Sequence, residues 1–201
     1  MEQNELKIQR SNDGGISADE SRHIEGYAIV FDRPSCVMYD WEKDWDYKEY
    51  IDRSAVTQEL IDKSDIICRL DHNPDKMLAR SKNGKGTLQL AIDDHGLKYA
   101  FDAPNTSAGD EALELIRRGD ITGSSFIAFA KRDTMKWSKE GKIAKCVITQ
   151  FTSFFDVSPV QRPAYEATDV TVRSMAEEFM NRQKPAPAPG YTKPKSKVRI
   201  L

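Results

Sequence analysis

Three segments of the chain carry side chains that could do acid, base or nucleophilic chemistry. His72 lies in Leu70-Asp71-His72-Asn73-Pro74, Ser124 and Ser125 in Gly123-Ser124-Ser125-Phe126-Ile127-Ala128-Phe129, and Asp156 in Phe154-Phe155-Asp156-Val157-Ser158-Pro159-Val160. Imidazole, hydroxyl and carboxylate are the members of a nucleophile–base–orienter set. With a period of two, Ile66, Cys68, Leu70 and His72 share one strand face. An imidazole at the rim of such a core-facing row is partly desolvated, which suits a general base. A core histidine bonded to a backbone carbonyl fits the same pattern. In an extended segment the two serines point to opposite faces, Ser125 with Ile121, Ile127 and Phe129, Ser124 with Phe126 and Ala128. Two strand serines bonded to neighbours is the plainer reading, because G-S-S-F is not the G-x-S-x-G elbow. A buried Asp156 needs a partner, and an imidazolium is one; an exposed strand carboxylate is the alternative.

The remaining signals carry less. Gly84-Lys85-Gly86 lacks the spacing and the Ser/Thr of a phosphate loop. Asp71, His72 and Asp75 could ligate a metal, but no second cluster has ligand spacing, so neither metal nor cofactor is expected. His95 falls at a hairpin tip and His23 at the start of a strand. The three cysteines, Cys36, Cys68 and Cys146, are odd in number and widely spaced, which speaks against a zinc ribbon or a disulfide scaffold and for a reducing compartment.

These side chains need a scaffold, and the composition allows one. The chain has 201 residues, 39% hydrophobic and 31% charged, enough for one domain with a real core. A net charge of -2 argues against wholesale coating of nucleic acid. The first ten residues have no apolar run of a signal peptide. No stretch approaches the ~18 apolar residues of a membrane span.

Residues 1–22 read as a polar N-terminal segment, with a turn at Asp13-Gly14-Gly15 and a short strand at Lys7–Arg10. Strands are expected at His23–Phe31, Ile66–Leu70, Thr87–Ile92, Leu97–Phe101, Ile121–Ala130, Ile143–Gln150 and Phe151–Val157. Gly96, in the Asp94-His95-Gly96 hairpin, suits a positive φ. The aromatic and acidic run 39–52 reads as a long loop or irregular edge. Ser54 opens a short helix, and a clearer one spans 108–118, with Ser107 as N-cap, Asp110 in a variant capping box and Gly119 as the stop. Pro159 and Pro163 bracket a turn. Val170 and Val172 suggest a short strand, and Ser174 with Glu177 a capping box for a final helix. The body, 23–182, is therefore mainly β with a few α-helices, a barrel or tightly curled sheet. Residues 183–201, rich in proline and lysine, read as a disordered tail open to proteolysis, whose basic residues could also meet an acidic partner.

Taken in order, the segments resemble the prohead (procapsid maturation) proteases of tailed bacteriophages. The likeness runs from about Ile24 to Ser174. It begins at Ile24-Glu25-Gly26-Tyr27-Ala28-Ile29-Val30-Phe31 and is sharpest at Leu70-Asp71-His72-Asn73-Pro74. It continues at Gly86-Thr87-Leu88-Gln89-Leu90 and through Ile116-Arg117-Arg118-Gly119-Asp120-Ile121-Thr122-Gly123-Ser124-Ser125-Phe126, and it closes at Asp156-Val157-Ser158-Pro159-Val160-Gln161-Arg162-Pro163. The resemblance implies a closed or partly closed β-barrel of the herpesvirus-protease type and a serine endopeptidase. Ser125 would be the nucleophile, His72 the base and Asp156, where the family more often has Glu, the third member. Ile127-Ala128-Phe129 replaces the usual Gly-Phe, which leaves Ser124 open as nucleophile. Herpesvirus relatives use a second histidine, which leaves His95 or His23 open as third member. Backbone N–H groups near Gln161-Arg162 are the oxyanion candidates. The implied substrates are the major capsid protein with its scaffold or delta segment, and the protease itself, with self-association as a further implied contact, inside the assembling prohead in the host bacterial cytoplasm. A non-catalytic capsid-assembly or scaffold protein that kept the fold is the alternative.

Overall fold

In a computed structural model, the described residues are 5–12, 15–19, 21–40 and 43–161, with the side chain of Glu140 left aside. All lie in the first of the two units into which the chain divides, Met1–Ala167. The strand at Val170 and Val172, the helix after Ser174, the Pro163 turn, the Asp13-Gly14 part of the first turn and the basic tail fall outside them.

The elements run β1 (Glu5–Asn12), β2 (Ile16–Ala18), β3 (His23–Val30), β4 (Met38–Asp40), β5 (Trp45–Ile51), α1 (Gln58–Lys63), β6 (Asp65–Arg69), β7 (Met77–Lys82), β8 (Lys85–Gly86), β9 (Gln89–Ile92), β10 (Gly96–Asp102), α2 (Ser107–Arg117), β11 (Gly123–Lys131), β12 (Met135–Glu140), β13 (Ile143–Ile148) and β14 (Phe151–Val160). They build three sheets, ordered β1-β11-β14-β6-β7-β8, β2-β3-β10-β9 and β12-β13-β5-β4. The chain is mainly β, with few helices. The expected closed or partly closed barrel is not what forms. Among the described residues each sheet is open, and one end strand of each is short: β8 has two residues, β2 and β4 three. Closing a barrel needs matched strand lengths, tilt and stagger, which such edges do not supply.

The core fills from the alternating inward residues of the first two sheets. Ile24, Ile66, Leu97, Tyr99, Phe101, Phe126, Phe154 and Val157 are fully buried. Phe126 stacks on Phe154, with ring centroids 5.7 Å apart. Against this core α2 lays Ala112, Leu113 and Ile116. Thr106 caps α2, not Ser107, by accepting the Gly109 N–H, while Asp110 pairs with Arg22. Gly119, at φ 79°, ends the helix as expected. The Ser54 helix divides: a 3₁₀ turn over Arg53–Ala55 is capped by Asp52, and Thr57 caps α1.

Three expectations change for physical reasons, and two strands appear that the sequence did not announce. The 39–52 run contains strands β4 and β5, because Trp45, Tyr47, Glu49 and Ile51 alternate with polar residues and pack on one side. Its tilted Trp45–Trp137 and Tyr47–Trp137 contacts tie β5 to β12, a strand the sequence did not announce. Strand β7 was equally unannounced. Gly96 does not take a positive φ; a Cβ there would lie 1.9 Å from the Ile29 carbonyl oxygen, so the position needs glycine for close approach. Pro159 lies inside β14, opposite Ser124, rather than opening a turn. Strand β6 pairs with β14 only at Asp156 and Val157, so beyond them one side of β14 has no ladder, and a proline without an N–H fits there.

Candidate active site

The site forms where β11, β14 and the turn after β6 meet in the six-stranded sheet. On β11, Ser125 pairs with Ser11 of β1 on one side and Ser158 of β14 on the other. Alternation then sends Ser124 and Ser125 opposite ways. The Ser124 hydroxyl meets the Tyr99 hydroxyl at 2.8 Å, within the core. Burial pushes the Tyr99 phenol well up, so it stays protonated. The Ser125 hydroxyl faces the other side and meets His72.

His72 reaches that side through backbone strain. Both Asp71 and His72 take left-handed conformations, at φ 55° and 57°. Asparagine, aspartate and histidine visit this region more readily than other non-glycine residues, but as single residues; two in succession are uncommon. The turn is locked by its own bonds: Leu70 N to Lys76 O at 3.0 Å, Asn73 N to Leu70 O at 3.0 Å, and Asp75 N to the Asn73 side chain at 2.9 Å. The Asp71 carboxylate accepts the Gln161 N–H just past the end of β14. His72 therefore does not continue the buried Ile66, Cys68, Leu70 row. The left-handed turn carries its ring to the opposite face, beside Ser125, a reversal that strand periodicity cannot encode.

Asp156 reaches the same face through a bulge. Phe154 and Asp156 stand two apart and would face one way in a regular strand. The register between β11 and β14 shifts here, pairing Ala128 with Phe154 and Ile127 with Asp156. Phe155 is the extra residue. Phe154 thereby enters the core while Asp156 stays on the Ser125 side. The irregularity around Ile127 is thus a bulge of β14 rather than a slip of β11.

The resulting chain of contacts is short. His72 Nε2 lies 2.6 Å from Ser125 Oγ, and His72 Nδ1 lies 2.7 Å from Asp156 Oδ1. Asp156 is 1% exposed and accepts two further bonds, from Ser158 Oγ at 2.5 Å and from Arg69 Nη1 at 3.0 Å. A carboxylate buried this far without partners costs several kcal/mol. Charge-assisted hydrogen bonds of about 1.5–3 kcal/mol each offset that. Beneath it, burial pushes the Cys68 thiol well up, and the Asp156 charge adds to this. Ser125 Oγ also lies 2.9 Å from the Arg10 carbonyl of β1, an alternative acceptor for its single proton.

The structure thus brings Ser125, His72 and Asp156 together and leaves the other candidates elsewhere. Ser124 is on Tyr99. The His95 ring packs edge-on against Tyr27, with centroids 4.6 Å apart. His23 Nδ1 is 3.0 Å from Asp102. The Gln161 N–H, one of the oxyanion candidates, is engaged by Asp71, and Arg162 lies outside the described residues. Arg69, Ser158 and the Arg10 carbonyl went unremarked in the sequence. A lone arginine in the apolar run Ile66-Ile67-Cys68-Arg69-Leu70 was the available signal, since a charge there needs a partner.

Comparison with known proteins bears on the family and on the fold. A family model described as caudovirus prohead serine protease matches residues 5–183. The solved structure of the bacteriophage T4 capsid assembly protease, gp21, is similar in fold, with a TM-score of 0.50 and 11% sequence identity, covering 78% of this chain and 98% of that one. No curated protein sequence matches significantly.

Proposed function

The chain belongs to the caudovirus prohead serine protease family, and from that premise we propose that it cleaves capsid and scaffold protein through Ser125, His72 and Asp156 while a prohead assembles. The observation that carries this reading is the continuous contact from Ser125 Oγ through both ring nitrogens of His72 to the buried Asp156. His72 Nδ1–H donates to Asp156, which leaves the Nε2 lone pair facing the serine hydroxyl. Ser125 Oγ forms a bond to the scissile carbonyl carbon as its proton passes to Nε2. The carbon–nitrogen bond then breaks, and His72 returns that proton to the leaving amine. Water, deprotonated by the same nitrogen, attacks the acyl-enzyme, and the serine leaves with the proton restored. Asp156 stays ionised, holding the ring's tautomer and stabilising the imidazolium.

The substrates proposed are the major capsid protein with its scaffold or delta segment, and the protease's own Lys/Pro-rich tail, residues 183–201. The site of action is the interior of the assembling shell in the host cytoplasm. Co-expression with the cognate capsid protein, followed by intact-mass measurement, tests this. Parent protein should yield a shortened capsid chain and a trimmed protease, and Ser125→Ala should leave both at full length. Equal products from both would remove Ser125 as the nucleophile, and no cleavage by the parent would remove the capsid chain as substrate.

A further inference from the structure

We propose that Arg69 is a positioning residue that holds Asp156 ionised and sets the pH at which His72 accepts the serine proton, a role that rests on the Ser125–His72–Asp156 reading above. The two oxygens of Asp156 do different jobs. Oδ1 faces His72 Nδ1 and Ser158 Oγ. Oδ2 is left for Arg69 Nη1 at 3.0 Å. Arginine remains charged across the working range, so this oxygen always faces a cation.

No other charge on the surrounding elements duplicates this contact among the described bonds. Strand β6 contributes Arg69 and the neutral thiol of Cys68. The turn contributes His72, Asp71, whose carboxylate is bound to the Gln161 N–H, the exposed Asp75, and Lys76, which pairs with Glu111 of α2. Strand β11 brings hydroxyls. Helix α1 also packs on β14, but its charges pair along the helix itself, Lys63 with Glu59 and Asp62 with Gln58.

The sign of the effect follows from the charges. A cation beyond Asp156 disfavours a second cation at His72 and favours the ionised carboxylate. Without Arg69 the imidazolium is better stabilised and Asp156 takes up a proton more readily. The first change holds His72 in the protonated form, which cannot accept from Ser125, until a higher pH; the second leaves a neutral Asp156 that no longer orients the ring or stabilises its charge, which lowers the rate on the same acid side. The arginine therefore extends activity toward acid pH rather than simply supporting the fold.

The test is the pH dependence of the rate of labelling by a fluorophosphonate probe, in which Ser125 Oγ bonds to phosphorus, fluoride leaves and His72 takes the proton. Arg69→Gln keeps an N–H donor and removes the charge. Its acid limb should move up by about one pH unit, the low end for a neighbouring charge because Arg69 is 27% exposed. Arg69→Lys should return the limb most of the way. Arg69→Met, which keeps part of the aliphatic stem, reads the same quantity should the glutamine variant not fold. An acid limb that stays in place in the folded neutral variants, however far the rate falls, would reduce Arg69 to a structural support. Equal shifts in the lysine and glutamine variants would rule out the charge as the agent. Ser125→Ala separates the two levels: labelling that survives there refutes the triad reading itself, independently of Arg69.

Discussion

Glu49→Leu should destabilise the fold markedly, and the structure gives the size. Glu49 is 2% exposed and sits on β5, facing Arg10 of β1 across two sheets. Arg10 Nη2 donates to Glu49 Oε2 at 2.8 Å, and Nε lies 2.8 Å from Oε1 without the alignment of a second hydrogen bond. Burial works against the guanidinium charge, and Glu49, with Tyr47 and Cys36 adding, more than offsets this, so Arg10 titrates above its ordinary value. Removing one member of a buried ion pair leaves the other charge unpaired and costs about 3–5 kcal/mol. Arg10 keeps 25% of its side chain exposed and can partly rehydrate, which places the loss at the lower end, about 3 kcal/mol. For a domain of this size that is a fall in Tm of about 6–12 °C. Thermal unfolding followed by circular dichroism reads it. Adding Arg10→Met should recover most of the loss, since an apolar pair in the same space carries no desolvation cost. A fall below about 2 °C, or a double variant as unstable as the single one, would refute the reasoning. The folded variant should still label with a serine-directed probe, because the Arg10 carbonyl that meets Ser125 is held by the β1–β11 ladder rather than by the Arg10 side chain.

Asp156→Asn should lower kcat/KM by about 10⁴-fold, because an amide supports the wrong imidazole tautomer and supplies no charge; a steady-state peptidase assay measures this. Ser124→Ala should keep its activity but lose about 1–3 kcal/mol of stability in urea unfolding, since it leaves the buried Tyr99 hydroxyl without its partner. Stability should also fall in alkali. Burial, with Asp156 adding, holds the Cys68 thiol well up, and burial, with Glu49 adding, pushes Cys146 up to about 12. Both thiols ionise near about 8.5 once unfolded. Their contribution is complete below that pH and is lost as pH rises toward the folded values. Urea unfolding at pH 8 and pH 10 should show the decline, and Cys68→Ala with Cys146→Ala should flatten it.

The sequence made the site's membership legible and its geometry only in part. Alternation separated Ser125 from Ser124, because β11 runs without interruption through Gly123–Lys131, and the choice between them came from the family likeness. The face of His72 did not, because two consecutive left-handed residues reverse it, and strand periodicity has no means to announce that. Asp156 depended on a bulge at Phe155, which looked from the sequence like an anomaly at Ile127. In the fold, the long β3, β10, β11 and β14 showed themselves by apolar alternation. Strand β5 was hidden by its acids, since Glu49 counts as polar until its pairing with Arg10 is seen. Strands β7 and β12 carry too many charged residues to stand out. The barrel expectation rested on the mainly β pattern of the body and on the family likeness, and the short end strands β2, β4 and β8 leave the sheets open.

The central claim is that Ser125, activated by His72, is the nucleophile. Peptide mapping by mass spectrometry after fluorophosphonate treatment tests it most directly, with the parent, Ser125→Ala, Ser124→Ala and His72→Ala compared. The account predicts one adduct, on Ser125, present in the parent and in Ser124→Ala, absent from Ser125→Ala and nearly absent from His72→Ala. An adduct on Ser124, or labelling of Ser125 at the parent rate without His72, would contradict it.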